Sequence, residues 1–87
     1  MAVVFDSDKD LANIAKHGVY LALSEKLEVV ASIIDARRDY GELRKIAFGT
    51  IDGDHYTFVY TLRDDQVRAI SLRRCHRKEF LRYVPRG

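Results

Sequence analysis

The last third of the chain constrains the fold most strongly, because two strand-forming runs lie there on either side of a short polar connector. The runs cover residues 56–62 and 67–72, and the connector is Arg63-Asp64-Asp65-Gln66. Short polar connectors between such runs are typical of a β-hairpin. The sequence therefore predicts that these two strands pair antiparallel and that the rest of the chain supplies their neighbours.

The charge of the chain is divided unevenly along its length. From residue 63 onward eight Lys and Arg stand against three Asp and Glu, whereas residues 1–62 carry seven against ten. The formal net charge of +2 therefore conceals a basic end and an acidic remainder. Positive charge concentrated on a sheet and a helix indicates a polyanionic partner.

Length and composition predict one small domain over residues 1–87. The 87 residues are 47% apolar and 32% charged, which is typical of a globular protein with a single core. No apolar run approaches the ~20 residues that span a bilayer, and no signal peptide is evident, so we expect a cytoplasmic protein without a membrane partner. One cysteine and no zinc-like Cys/His spacing predict no disulfide, no metal and no cofactor.

Two helices are predicted before the hairpin. The first begins after Asp6, a good N-cap, and ends at Gly18, with an apolar stripe of Leu11, Ile14 and Ala15. The second begins near residue 20. Its apolar residues recur at i, i+4, i+7 and i+8, which indicates one buried face; they are Leu23, Leu27, Val30 and Ala31.

Residues 3–5 are predicted to form a short strand or an anchoring segment, residues 32–35 a short strand, and residues 44–50 a longer strand that is followed by a turn at Asp52-Gly53. A C-terminal helix carries Phe80, Leu81 and Val84 at helical spacing, and Pro85 is expected to stop it. This order predicts an α+β fold in which an antiparallel sheet of three to five strands is packed by two N-terminal helices and one C-terminal helix.

Alternation along the hairpin assigns its side chains to two faces of the sheet. The face that helices are expected to cover carries Phe58, Tyr60, Leu62, Arg68, Ile70 and Leu72. The opposite face carries Thr57, Val59, Thr61, Arg63, Val67, Ala69, Ser71 and Arg73. Because this second face is lightly apolar and bears arginines, it is predicted to be an open surface for a phosphate-bearing ligand.

Four groups of residues form a specific combination along nearly the whole chain. They are Phe5-Asp6, Lys9, Asn13 and residues 16–19; Asp35-Ala36-Arg37, Tyr40-Gly41-Glu42, Arg44 and Phe48-Gly49; Val59-Tyr60-Thr61, Arg63, Arg68, Ile70-Ser71 and Arg73-Arg74; and Arg77-Lys78-Glu79 with Tyr83. In this combination the chain resembles the BrnT toxins, a branch of the RelE-like superfamily of type II toxin–antitoxin ribonucleases. Leu72 and Cys75 depart from the small residues usual in the family, and Phe5 stands where Trp is commonest.

The resemblance implies a small endoribonuclease that cleaves RNA without a metal and arrests growth. It also implies a RelE-like fold. The implied partner is a BrnA-like antitoxin whose ribbon-helix-helix domain binds the operon's DNA. Toxin and antitoxin are then expected to form a heterotetramer joined through the antitoxin, which makes the DNA contacts.

Metal-free RNA cleavage needs a base for the 2′-hydroxyl, cations for the phosphorane-like transition state and an acid for the 5′-oxygen. We expect Arg63 and Arg73 to bind the phosphate, because the planar guanidinium matches phosphate oxygens. The plainer interpretation is that these arginines are solvated or paired with nearby carboxylates. His17 is a candidate base or acid, although a basic residue before Gly18 also suits a helix end.

Glu79 and Tyr83 are four residues apart and should share a helix face. Tyr83 is a candidate to donate to phosphate or to stack on a base, and Glu79 to act as a base or to orient an arginine. A structural ion pair and a half-buried tyrosine are the alternative. Further RNA contacts are expected from Lys16, Arg68, Arg74 and Arg77. Arg74 should point to the face opposite Arg73.

A second function remains compatible with the same residues. A non-catalytic module that binds nucleic acid or protein would also present a basic C-terminal surface. The mixture of Arg with His, Glu and Tyr favours catalysis, because a purely phosphate-binding patch needs only Lys and Arg.

Overall fold

The computed structural model describes residues 2–37 and 39–84. In chain order the elements are β1 (Val3–Val4), α1 (Ser7–His17), a 3₁₀ helix (Leu21–Lys26), β2 (Glu28–Ile34), β3 (Arg44–Ile51), β4 (Asp54–Arg63), β5 (Gln66–Arg74) and α2 (Arg77–Tyr83). The predicted α+β class is confirmed. The stop expected from Pro85 lies outside the described residues. No helix among the described residues is long and apolar enough to cross a bilayer.

The five strands form one mixed sheet in the order β1-β5-β4-β3-β2. Three of the pairings are antiparallel, whereas β1 runs parallel to β5. The expectation of a purely antiparallel sheet was therefore wrong at this edge. The sequence of a two-residue strand does not indicate the direction in which it pairs. That direction depends on how the chain continues from β1 through two helices to β2 at the other edge of the sheet.

Both predicted hairpins are confirmed, and each is closed by a two-residue turn. Asp52 and Gly53 adopt φ values of 49° and 85°, and Asp64 and Asp65 adopt 53° and 62°. Positive φ at both central residues is the geometry that continues the right-handed twist of paired strands. Aspartate tolerates this region better than most residues with a side chain, which explains the Asp-Asp turn.

The second predicted helix was wrong beyond its first turns. A 3₁₀ helix ends at Lys26, and the following residues form β2 at the edge of the sheet. Of the four residues that suggested a buried helical stripe, Leu27 is buried, but Val30 is 54% exposed. The run Glu28–Ile34 is rich in β-branched residues, and its pairing with β3 prevailed over the helical spacing.

The first helix has the expected ends but not the expected buried face. Asp6 is its N-cap residue and Gly18, at φ 73°, its C-cap. Leu11 and Ile14 are exposed, and the residue that α1 buries is Asn13. This stripe was misread because α1 lies beside the edge of β5, where its polar Asn13 side chain bonds to strand backbone.

The predicted faces of the sheet were wrong for the N-terminal half of β5, because this strand contains a bulge. Val59 pairs with Ser71 but Tyr60 pairs with Ala69, so Ile70 is the extra residue. One extra residue reverses the alternation on its N-terminal side. Val67 and Ala69 consequently join the core that they were expected to face away from.

The main core lies on one face of the sheet, under the 3₁₀ helix and the segment after β1. Its buried members are Leu21, Leu27, Ala47, Ile51, Tyr56, Phe58, Ala69 and Leu72. A smaller core on the other face contains Phe48, Phe80 and Val84, and it holds α2 against one end of the sheet. The rest of that second face is left open.

Candidate functional site

A cleft opens on the face of the sheet opposite the main core. It encloses about 640 Å³; β2 to β5 form its floor, α1 and α2 form walls, and residues 35–37 close the far end. Its polar lining includes Lys9, Asn13, Lys16, His17, Asp35, Arg37, Thr57, Ser71, Arg73, Glu79, Arg82 and Tyr83. Five described lining residues are Lys or Arg and two are Asp or Glu, so the cleft suits an anionic ligand.

Arg73 stands where β5 leaves the sheet beside α2. Its Nη2 donates to Glu79 Oε1 at 2.7 Å, and its Nη1 donates to the carbonyl oxygen of Arg74 at 3.4 Å. The side chain remains 39% exposed. Of five guanidinium N–H groups, three remain for a ligand. Glu79 thus orients Arg73 while leaving it able to bind an oxyanion.

The wall formed by α1 is joined to the sheet through Asn13. Beyond Arg68, no strand among the described residues pairs with β5 on this side, because β1 ends at Val4. Asn13 takes the place of that strand: its Nδ2 donates to the Leu72 carbonyl at 2.9 Å, and the Leu72 N–H donates to its Oδ1 at 3.1 Å. The same Nδ2 donates to the Val19 carbonyl at 2.9 Å. The C-terminal turn of α1 is thereby held at the cleft.

His17 lies in that turn and faces the cleft. Partial burial lowers the pKa of His17 below its ordinary value of 6.5, and the positive charges of Lys16 and Arg73 lower it further. Because His17 and Arg73 both line the cleft, the helix end and the sheet meet at one site. The imidazole is therefore predominantly neutral at pH 7 and is able to accept a proton.

Tyr83 provides an aromatic surface at the opposite wall. Its ring stacks on that of Phe48, with centroids 4.7 Å apart and planes 9° apart. Because 43% of Tyr83 remains exposed, part of this residue is accessible to a ligand. Glu79 lines the cleft as well, as the spacing of four residues on α2 predicted.

The floor contains a polar atom that the sequence did not single out. The hydroxyl of Thr57 is buried and has no hydrogen-bond partner among the described residues. Thr57 is paired with Arg73 across β4 and β5 and lines the cleft. Lys9 and Arg82 also belong to the lining and were not proposed as site residues. Their placement depends on how α1 and α2 pack on the sheet, and no local sequence pattern indicates that packing.

The far end of the cleft is built on a buried carboxylate. Asp35 accepts hydrogen bonds from Arg37 Nε at 2.8 Å, from Arg37 Nη2 at 2.7 Å and from the Tyr40 hydroxyl at 3.1 Å. These contacts, with Arg37 first, hold the pKa of Asp35 well below its usual range and outweigh the effect of burial. The carboxylate is therefore ionised, although water does not reach it.

Four of the residues expected to contact RNA do not line the cleft, and they are Arg63, Arg68, Arg74 and Arg77. Arg63 Nη2 donates to Glu42 Oε2 at 2.9 Å, Arg68 pairs with Asp6 at 3.6 Å, and Arg74 Nε donates to the Tyr56 hydroxyl at 3.3 Å. Arg63 is six residues along β4 from the partner of Arg73, about 20 Å. Of the site residues predicted from the sequence, the cleft therefore brings together five, which are Lys16, His17, Arg73, Glu79 and Tyr83.

Comparison with known proteins identifies the family. Residues 5–79 match the family model described as ribonuclease toxin, BrnT, of type II toxin-antitoxin system. The chain belongs to the BrnT family. Members of such a family act as toxins with an RNA target and an antitoxin partner. No significant match was found among curated proteins or solved structures.

The BrnT match contains α1, the floor of the cleft and the first three residues of α2, and it ends before Arg82 and Tyr83. Within residues 2–37 and 39–84, no group of three His, Cys, Asp or Glu side chains is arranged to hold a metal ion.

Proposed function

We propose that this BrnT protein is an endoribonuclease that cleaves RNA without a metal and that its active site is the cleft between α1 and α2. The observation that carries the proposal is the meeting of a neutral histidine, His17, with the oriented guanidinium of Arg73 in a positively charged cleft. A proton acceptor beside a phosphate-binding cation is the minimum that cleavage by a 2′-hydroxyl requires.

The proposed reaction uses the RNA strand's own 2′-hydroxyl as nucleophile. His17 accepts its proton, the 2′-oxygen attacks the adjacent phosphorus, and the bond from phosphorus to the 5′-oxygen breaks. Arg73 and Lys16 stabilise the charge that develops on the phosphoryl oxygens. The departing 5′-oxygen takes a proton from a donor in the cleft, for which the Tyr83 hydroxyl and the Lys16 ammonium are the candidates. DNA lacks the nucleophile and is not cleaved.

The roles of the other cleft residues follow from their contacts. Glu79 is bonded to Arg73 and is proposed to orient it rather than to move protons. Tyr83 is backed by Phe48, and its exposed part is proposed to stack on an RNA base. The charge of Arg73 and Lys16 supplies the electrostatic stabilisation that a metal ion would otherwise provide, which supports a metal-free mechanism.

The finer features of the biology are part of the same proposal. Residues 1–87 form one toxin domain of RelE-like fold that acts in the cytoplasm and arrests growth. A BrnA-like antitoxin neutralises it, and the two form a heterotetramer that contacts DNA through the antitoxin. The exposed edge strand β2 supports such a partner, because Val29, Val30 and Ile34 are exposed at an edge that no other described strand pairs with and to which a strand can be added.

The proposal is tested by incubating antitoxin-free protein with end-labelled RNA in excess EDTA, beside DNA of the same sequence. Discrete RNA fragments and intact DNA are expected. An Arg73→Ala variant purified in the same way controls for contaminating nucleases. If RNA stays intact in this assay, in the presence of ribosomes and after induction of the protein in living cells, the nuclease function is rejected. Salt-sensitive RNA binding without cleavage products would favour the non-catalytic binding module.

The acid side of the pH–activity profile should report His17. Because the pKa of His17 is lowered, the base form predominates at pH 7 and is lost as the pH falls below the ordinary value of 6.5. We expect kcat/KM to be level near neutrality and to decline with an inflection below pH 6.5, in RNA cleavage assays across that range. His17→Gln should lose about 100-fold in activity and with it this inflection. An unchanged inflection in His17→Gln would assign it to another group.

A further inference from the structure

The far end of the cleft contains an unequal ion pair. The Asp35 side chain is 0% exposed, whereas the Arg37 side chain that it binds is 67% exposed. The carboxylate accepts from two guanidinium nitrogens and from the Arg37 backbone N–H, the latter at 3.2 Å. A charge buried this completely is retained at a cost in desolvation. Its effect here is to fix the orientation of an arginine at the surface of the cleft.

The guanidinium retains donors that point away from its carboxylate. Asp35 occupies Nε and one N–H of Nη2, and the Tyr40 hydroxyl is a further partner of the guanidinium, so two of its five N–H groups remain for a ligand. A fixed arginine loses little side-chain entropy on binding a phosphate oxygen, which favours affinity. Asp35 therefore prepares Arg37 for an anion.

Arg37 is too far from Arg73 to share its ligand group. The Asp35 N–H donates to the Arg44 carbonyl, and Arg44 pairs with Thr61 on β4. Thr61 is four residues from Thr57, the partner of Arg73. This separation is about 13 Å along the strands, with about 14 Å more across the three strand spacings from Asp35 to Arg73. One phosphate group cannot bridge it, but successive phosphates of one strand can.

We propose that Arg37, held by the buried Asp35, forms a second phosphate-binding subsite that takes a phosphodiester of single-stranded RNA distant from the one cleaved at Arg73. The subsite rests on the proposed function in that its ligand is the same RNA strand. The cleft between the two arginines is continuous and is floored by strands, so the strand can lie along it. Arg37 binds and positions the RNA and takes no part in proton transfer.

The test measures binding separately from cleavage, with a 2′-O-methyl RNA oligonucleotide that cannot be cleaved. Its affinity is measured by fluorescence anisotropy over a series of salt concentrations. Arg37→Ala is expected to weaken binding about 10-fold and to reduce the slope of log K against log salt by about 0.7, the value for one phosphate contact on a single strand. Lys26→Ala removes one charge from the 3₁₀ helix, away from the cleft, and should match wild type.

Removing Arg37 alone leaves the buried Asp35 unpaired, and that variant is at risk of misfolding. The double variant Asp35→Asn with Arg37→Gln retains a hydrogen-bonding pair and the net charge of the chain. It should show the same loss of slope. A slope equal to that of Lys26→Ala in the folded double variant would overturn the subsite.

Cleavage assays separate failure of the subsite from failure of the function. A dinucleotide reaches Arg73 but not Arg37, so the double variant should cleave it as wild type does. With a longer RNA the double variant should have a raised KM and an unchanged kcat, because the lost contact binds substrate and transition state equally. If wild type neither binds nor cleaves RNA, the proposed function fails with the subsite. If wild type cleaves and both substrates respond equally to the double variant, only the subsite fails.

Discussion

Arg73→Ala is expected to lower kcat/KM for RNA cleavage about 1,000-fold, the cost of removing an oriented donor to a developing oxyanion. The guanidinium is fixed by Glu79 at 2.7 Å and lies in the cleft with His17. Since it is partly exposed, its loss leaves no large cavity, and the circular dichroism spectrum should be unchanged. Single-turnover cleavage of end-labelled RNA provides the measurement.

The matched control for Arg73 is its neighbour on the chain. Arg74 carries the same charge but bonds to Tyr56, a member of the main core on the opposite face of the sheet. Arg74→Ala should therefore lower activity several-fold at most. Equal losses in the two variants would mean that general basic charge, rather than one oriented guanidinium, supports the reaction.

Asn13→Ala is expected to lower the free energy of unfolding by about 3 kcal/mol, a large part of the ~5–10 kcal/mol that holds a domain of this size together. The substitution leaves the N–H and carbonyl of Leu72 without their partner at a buried position, and it also removes the contact with Val19. Alanine's better helix propensity offsets only a few tenths of that loss.

Urea unfolding followed by circular dichroism measures the effect of Asn13→Ala. Leu11→Ala on the same helix is the control, because Leu11 is 65% exposed and its replacement should change stability by less than about 0.5 kcal/mol. A loss below about 1 kcal/mol for Asn13→Ala would show that water replaces the amide without penalty.

The parts of the fold that local chemistry determines were predictable from sequence. Asp52-Gly53 and Asp64-Asp65 each specify a turn through the backbone they tolerate, and Gly18 specifies the end of α1. The predictions failed where the local structure depends on a pairing partner that is distant in sequence. Residues 28–34 have helical spacing but became an edge strand by pairing with β3. The bulge at Ile70 reverses one strand's alternation and leaves no mark in the sequence.

The candidate site shows the same division. Alternation alone assigned Arg73 and Arg74 to opposite faces, and the spacing of four placed Glu79 and Tyr83 on one side of α2. The concentration of basic charge near the C-terminus did not distinguish Arg73, which lines the cleft, from Arg63, which lies about 20 Å away from it. Asp35 was not recognised as the basis of a site, because its burial depends on a loop that folds back over it.

The hydrogen bonds by which Asn13 joins the C-terminal half of α1 to β5 have a consequence for how activity is lost. The central strands form the most extensively paired part of the described molecule, whereas the helix that carries His17 is held by a few side chains, which are the Asn13 amide and the Asp6 and Asp10 carboxylates. Local opening of such a segment costs less free energy than global unfolding. If the proposed mechanism holds, we expect activity to be lost when this helix undocks, so that a sheet that still gives a native β spectrum can belong to an inactive molecule.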